Sequence, residues 1–155
     1  MKYFIIIFLI LVFSLPTKAD SLSTLELAEK ENSYNKKYFI EVNDKLEKIL
    51  DKIKIGLKED ELFLNYIFRA QYRWENYRDS MVEALFPEII EERPTYYGIL
   101  YPTYECSYKA ELTKTRISEL KRLVELRCFH AHYGKEKDKS HFCYQKNLDN
   151  LFEQY

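Results

Sequence analysis

The chain of 155 residues carries 24 basic and 25 acidic side chains, and its formal net charge of −1 excludes the strongly basic surface of a typical nucleic-acid-binding domain. Glycine and proline number only 3 and 4, which favours helices over a β-sandwich. Fourteen tyrosines and ten phenylalanines are many for this length, so some of them are expected at a contact surface.

The first nineteen residues have the pattern of a secretory signal peptide. Lys2 gives a positive start, residues 3–13 are apolar throughout, and Thr17-Lys18-Ala19 supplies a small residue for cleavage. The apolar run is too short to remain as a transmembrane span. We therefore expect residues 1–19 to be removed, which leaves residues 20–155 as one exported domain without a stable membrane anchor. The alternative is an uncleaved N-terminal anchor.

The first predicted helix begins at the capping pattern Ser23-Thr24-Leu25-Glu26 and ends at Gly56. Between these points, residues recur at spacings of three and four and form a heptad-like seam. The seam consists of Leu25, Ala28, Asn32, Asn35, Phe39, Val42, Leu46, Ile49 and Ile53. Asn32 and Asn35 interrupt its apolar character. They could set the register through polar contacts, or the helix could fray or bend there.

A second helix is predicted from near Asp60 to Pro87, because the same spacing continues and the residue before a proline disfavours the helical conformation. Its predicted seam is Phe63, Ile67, Ala70, Trp74, Tyr77, Met81 and Ala84. Residues 87–105 follow as a long, irregular loop that contains two further prolines and a glycine, and loops of this length are often functional.

A third helix is predicted from about Thr103 or Cys106 to Tyr133, and a short last helix from Ser140 to about Phe152. The expected fold is therefore all-α, a small antiparallel bundle of three long helices with a possible short fourth. The short turn after the first helix is expected to place helices one and two side by side.

The densest polar motif of the chain lies on helix two, where Gln71, Trp74 and Arg78 share one face and Tyr77 lies beside them. A buried tryptophan needs a hydrogen-bond partner for its indole N–H, and a buried arginine needs a carboxylate or several carbonyls. We therefore predict a structural role for this motif, which ends at Asp79.

A second motif on helix three reads Thr113-x-x-Arg116-x-x-Glu119. Arg116 can form an ion pair with Glu119 one turn away, or it can reach across to Asp79 or Glu75 on helix two. In either case the sequence predicts a structural interaction rather than a catalytic one.

Residues 71–79, which read QYRWENYRD, resemble the signature of the LprI-like family, named for a bacterial lysozyme inhibitor. The segments 98–106 and 112–120 resemble its second half, and the resemblance covers about residues 25–125. It implies a secreted, helical protein without known catalysis. The family commonly has a cysteine after the Tyr-Arg-Asp triplet, able to pair with the one that matches Cys106. Here residues 80–82 contain no thiol.

The two C-terminal cysteines, Cys128 and Cys143, form the natural disulfide pair in an oxidising compartment, and their loop would contribute roughly 3 kcal/mol to stability. Together they make a cysteine-bridged extension of the single domain. Cys106 is left as a buried free thiol or an intermolecular partner. The three histidines match no strong zinc spacing, so no metal is expected.

No catalytic motif is present, so neither enzymatic activity nor a cofactor is expected. The resemblance implies a protein partner such as a lysozyme, inhibited by occlusion of its substrate cleft. The candidate surface is the loop with Glu91, Glu92, Tyr96, Tyr97 and Tyr101, because acidic residues suit a basic enzyme and tyrosines anchor interfaces. Alternatively, these tyrosines only cover the end of the bundle. Other hypotheses are an immunity or assembly factor for another exported protein and a small-ligand-binding module.

Overall fold

A computed structural model describes residues 18–133, with side chains from 23 to 129, and it confirms the predicted all-α fold. The described part contains four helices and no strand. They are α1 (Lys18–Gly56), α2 (Glu61–Leu85), α3 (Arg93–Tyr97) and α4 (Tyr101–Tyr133). Residues 1–17 of the predicted signal peptide and the predicted last helix lie outside the described residues. Helix α1 begins at Lys18, so the predicted start at the capping pattern of Ser23 is wrong, because this pattern lies inside the helix. Within them, no helix is long and apolar enough to cross a membrane.

The turn between α1 and α2 follows the sequence signals closely. Helix α1 ends at Gly56, and the Asp60 carboxylate caps α2 by accepting a hydrogen bond from the Phe63 N–H at 3.3 Å. Asp60 also binds Arg127 of α4, whose Nε lies 2.6 Å from the second carboxylate oxygen. The N-terminal end of α2 is thus fixed to the C-terminal half of α4.

The three long helices run up, down and up, so that α1 and α4 are parallel. Asn32 and Asn35 of α1 bind Thr103 and Ser107 of α4, in the same order along both helices. The main packing is between α1 and α4 rather than between α1 and α2, which differs from the prediction that helices one and two lie side by side.

The main core lies at the C-terminal ends of α1 and α4 and the N-terminal half of α2. Its buried members are Leu46, Ile49, Leu50, Ile53, Leu57, Ile67, Leu120, Val124 and Cys128. The seam predicted for α1 supplies much of this core. The seam predicted for α2 is wrong at Ala70, Tyr77 and Ala84, which are exposed, because Gln71 and Val82 are the residues that α2 turns inward.

The two asparagines that interrupt the α1 seam are register-setting contacts. The Asn32 side-chain oxygen accepts hydrogen bonds from the Thr103 N–H at 3.1 Å and from its hydroxyl at 2.8 Å. Its amide group donates to the Ile99 carbonyl at 2.9 Å. Because Thr103 lies in the first turn of α4, where backbone N–H groups have no partner within the helix, Asn32 serves as a cap provided by another helix.

Residues 86–100 are more ordered than the predicted irregular loop. The short helix α3 lies within them, and α4 begins at Tyr101, slightly earlier than predicted. Gly98 separates the two helices with a φ of 77°, a backbone conformation that favours glycine. A second, smaller core of Val82, Phe86 and Tyr101 closes this end of the bundle.

Candidate functional site

The two polar motifs predicted from the sequence meet between α2 and α4. The guanidinium of Arg116 is buried, its Nε donates to the Gln71 side-chain oxygen at 3.0 Å, and its Nη1 pairs with Glu119 at 3.1 Å. Of the predicted alternatives, the pair with Glu119 is present. The partner across the interface is Gln71, whose amide in turn donates to Glu75 at 3.0 Å. Among the described residues, no acceptor contacts the buried Nη2 of Arg116.

Trp74 lies half-buried beside two arginines. The guanidinium carbons of Arg78 and Arg116 are 5.4 Å and 5.8 Å from the centre of its ring, distances typical of cation–π contacts. Arg78 also donates to Asn43 of α1 at 3.3 Å and to Asp79 at 3.0 Å. Through these contacts the motif joins all three long helices.

The remaining motif residues have simpler surroundings. Thr113 is fully buried, and its hydroxyl donates to the Lys109 carbonyl of its own helix at 2.8 Å, so no polar atom of its side chain needs a partner from another helix. Tyr77 is exposed and does not join the polar cluster, although it lies within the motif of residues 71–79.

The loop residues divide into an inner and an outer group. Tyr101 is only 5 % exposed and meets Phe86 edge to face at 5.1 Å, and the half-buried Tyr97 meets Phe86 in the same way at 5.0 Å. Buried Arg93 donates to the Tyr101 hydroxyl at 3.0 Å and to the Glu88 carbonyl at 2.8 Å. These residues hold the loop in one conformation.

The phenol groups of the inner group are kept neutral by their surroundings. The hydrogen bond from Tyr97 to the Glu88 carboxylate raises the pKa of this tyrosine, and burial raises the pKa of Tyr101. Burial alone would raise the pKa of Glu105, but hydrogen bonds with Lys109 and Tyr101 outweigh it and lower that pKa. The Lys109 Nζ lies 2.7 Å from the Glu105 carboxylate.

The outer group forms an exposed surface that we call the loop tip. It comprises Ile89, Ile90, Glu91, Glu92 and Tyr96, all of them exposed. The two glutamates and the tyrosine were predicted from the sequence as partner-binding residues, whereas the two isoleucines were not. Their signal in the sequence was a pair of apolar residues just after Pro87 and outside any helical period. Tyr97 and Tyr101 belong to the inner group, so they support the loop tip instead of offering their rings to a partner.

The cysteines and possible metal ligands add no chemistry to this region. Cys106 is a free thiol, half-buried, and burial raises its pKa. Cys128 lies in the main core, whereas Cys143 lies outside the described residues, so their predicted disulfide stays a prediction. In the part of the chain that the structure describes, no three side chains of histidine, cysteine, aspartate or glutamate are grouped as metal ligands would be.

Comparison with protein families matches residues 22–120 to the model of the lysozyme inhibitor LprI. The chain belongs to the LprI family. The match extends from the first turns of α1 to the middle of α4, and so contains the Gln71–Arg116 cluster and the loop tip. The family is of the inhibitor type and not a catalytic one. No curated protein and no solved structure matches the chain.

Proposed function

We propose that this protein is exported and acts, without enzymatic activity, as an inhibitor of a lysozyme or a related cell-wall hydrolase. The observation that carries the proposal is membership of the LprI family over residues 22–120. Inhibition takes place by steric occlusion, in which the loop tip enters or covers the substrate cleft of the hydrolase. The bundle presents the loop and takes no direct part.

The composition of the loop tip suits such a partner. Glu91 and Glu92 are exposed and adjacent, which favours association with a basic enzyme. Ile90 is 68 % exposed and Tyr96 is 65 % exposed, so both have apolar surface that a partner can bury. Among the described residues of the loop, these are the groups that combine charge and apolar area at one place.

The rigidity of the loop supports the same proposal. Arg93, Tyr97 and Tyr101 fix the segment on both sides of the loop tip through hydrogen bonds and ring contacts. A loop that already has its bound conformation loses less conformational entropy on association. This arrangement resembles a pre-formed inhibitory loop more than a segment that folds on binding.

The test is lysozyme inhibition by residues 20–155 and by variants of the exposed group. Ile90→Ser with Tyr96→Ser should weaken inhibition by about tenfold or more, since buried interface anchors typically contribute over 1 kcal/mol each. Glu91→Lys with Glu92→Lys should mainly slow association and reduce its dependence on salt. Far-UV circular dichroism should show unchanged helicity for both variants.

Matched controls come from exposed residues elsewhere. Tyr72→Ser removes an equally exposed tyrosine from α2, and Glu47→Lys with Asp51→Lys inverts two exposed charges on α1. Glu47 and Asp51 lie roughly 20 Å or more along α1 from Asn32, which contacts the loop end of the bundle. Full inhibition by folded loop-tip variants would place the inhibitory site elsewhere. No inhibition of any lysozyme type by the parent protein would leave the hypothesis of an immunity or assembly factor.

A further inference from the structure

The outward face of α2 carries an unusual group of aromatic and basic side chains, which we call the α2 face. It comprises Tyr66, Arg69, Tyr72, Arg73 and Tyr77, none of which is buried. Tyr72 has 67 % of its surface exposed, although it lies in the middle of a helix within a bundle. The fold does not require these residues, because α2 packs through Ile67, Gln71 and Val82.

Two open clefts lie on the α2 face and share both arginines. The first has a volume of about 640 Å³ and lies between Lys54 of α1 and the side chains of Phe68 and Tyr72. The second has a volume of about 530 Å³ and is lined in part by Trp74 and Tyr77. Each cleft therefore combines apolar walls with positive charge.

The charges of the clefts have no counterpart within the described residues. No carboxylate lines either cleft, and Lys54, Arg69 and Arg73 form no ion pair there. Arg78 and Arg116 on the inner side, in contrast, are paired with carboxylates. In a chain whose net charge is −1, three neighbouring uncompensated cations are a local excess that an anionic ligand would neutralise.

We propose that the α2 face binds an acidic segment of a partner protein that also carries apolar side chains. Carboxylates of the segment would pair with Arg69 and Arg73, which can each bind a carboxylate with two parallel hydrogen bonds. Apolar side chains of the segment would enter the clefts beside Phe68 and Trp74. Arginine and tyrosine are the residue types that dominate the energetics of protein interfaces.

The dimensions of the face suit an extended segment. The two arginines are one helical turn apart, roughly 6 Å, which is close to the roughly 7 Å between side chains at alternate positions of an extended chain. The clefts together extend from Leu64 to Tyr77, about 20 Å along α2, and so could hold about six extended residues. Side chains at alternate positions point to the same side of an extended chain, so two carboxylates at successive alternate positions, with apolar residues at the alternate positions before and after them, would all point toward the face.

Other anionic ligands fit these observations less well. Anionic membranes are recognised by clusters of about four to eight basic residues, and nucleic acids by strongly basic surfaces. The two clefts together have three basic residues, Lys54, Arg69 and Arg73, in a chain with a net charge of −1, and much of each cleft is apolar. The site lies on a different surface from the loop tip, so the protein could bind a basic hydrolase and an acidic partner at the same time.

The chain contains its own reporter for this site, since Trp74 is the single tryptophan and lines the second cleft. The probe is the synthetic peptide Leu-Ser-Glu-Ser-Glu-Ser-Leu with blocked ends, which places both glutamates and both leucines on one side when extended, added to residues 20–155. We expect a saturable change in Trp74 fluorescence that weakens with added salt. The same peptide with lysine in place of glutamate should produce no such change.

Variants test whether the peptide binds specifically at the α2 face. Arg69→Glu with Arg73→Glu should weaken peptide binding at least tenfold, and Tyr72→Ser should weaken it severalfold without a change in charge. The matched control is Lys48→Glu with Arg122→Glu, which alters charge equally at exposed positions outside both clefts. Circular dichroism establishes that each variant is folded.

Equal peptide binding by the folded double-arginine variant would overturn the proposal. So would a response to vesicles of phosphatidylglycerol or to inorganic phosphate in the absence of any response to the peptide. The double-arginine variant should inhibit lysozyme as well as the parent does, and Tyr96→Ser should retain full peptide binding. A failure at the α2 face is therefore distinguishable from a failure of the inhibitor proposal.

Discussion

The buried hydrogen bond between Gln71 and Arg116 predicts an energetic coupling that a double-mutant cycle can measure. Gln71→Leu keeps the volume of the side chain but removes the acceptor 3.0 Å from the Arg116 Nε. The same guanidinium already has a buried Nη2 without an acceptor among the described residues, so the variant leaves a second buried donor unsatisfied. A lost hydrogen bond to a charged group corresponds to about 2–3 kcal/mol of stability.

The partner variant, Arg116→Met, removes the charge and leaves the neutral oxygen of Gln71 without its donor and the half-exposed Glu119 without its ion pair. We expect a loss of about 1–2 kcal/mol. In the double variant both buried polar groups are absent, so the combined loss should be smaller than the sum of the single losses by about 1–2 kcal/mol. Glu119→Gln is the control, because its carboxylate is half-exposed and should contribute no more than about 1 kcal/mol.

Urea denaturation followed by far-UV circular dichroism measures all four free energies of unfolding. The helical signal is preferable to fluorescence here, since Arg116 lies close to the ring of Trp74 and its replacement changes the emission directly. Single losses that add to within about 0.5 kcal/mol in the double variant would refute the coupling and, with it, the structural role assigned to this cluster.

Three further predictions concern other parts of the molecule. Asn32→Ala should reduce the free energy of unfolding by about 1–2 kcal/mol in thermal denaturation, because α4 loses its cap from another helix. The pKa of Glu105 is lowered in the folded protein, so its contribution to stability is present above the unfolded pKa near 4.5 and is lost as the pH falls through the folded pKa. Glu105→Gln should therefore make the free energy of unfolding less dependent on pH in that range. Thiol counting in denaturant without reductant should find Cys106 alone, and three reactive thiols would contradict the pairing of Cys128 with Cys143.

The α2 face could not be predicted from the sequence alone. The motif of residues 71–79 drew attention to α2 through its tryptophan, yet its exposed Tyr72 and Arg73 received no role from spacing alone. Helical periodicity divides a helix into faces, but it does not state which face meets a neighbour when both carry large aromatic residues. The structure decides this through Gln71, a polar residue that α2 turns inward.

What the sequence by itself determined is local. The ends of the helices at Gly56 and Asp60 and the helical content depend on residues within a few turns of one another, and the resemblance to the LprI family depends on short motifs along the chain. All of these predictions were confirmed. The Asp60 carboxylate acts on its own turn of backbone, so its effect can be predicted without knowing what packs against it. The capping pattern at Ser23 had no such effect, because α1 continues through it to Lys18.

What only the tertiary structure decided is how distant segments pair. That α1 packs chiefly on α4, that Asn32 caps another helix, and that Tyr101 is buried while Tyr96 is exposed are consequences of contacts across many tens of residues. An apolar stripe gains similar free energy against any complementary surface, since the hydrophobic effect is not directional. Specific polar contacts, such as those of Asn32 and Arg116, favour one packing of the helices over the alternatives. The partners in these contacts are far away in the sequence, so the tertiary structure is needed to identify them.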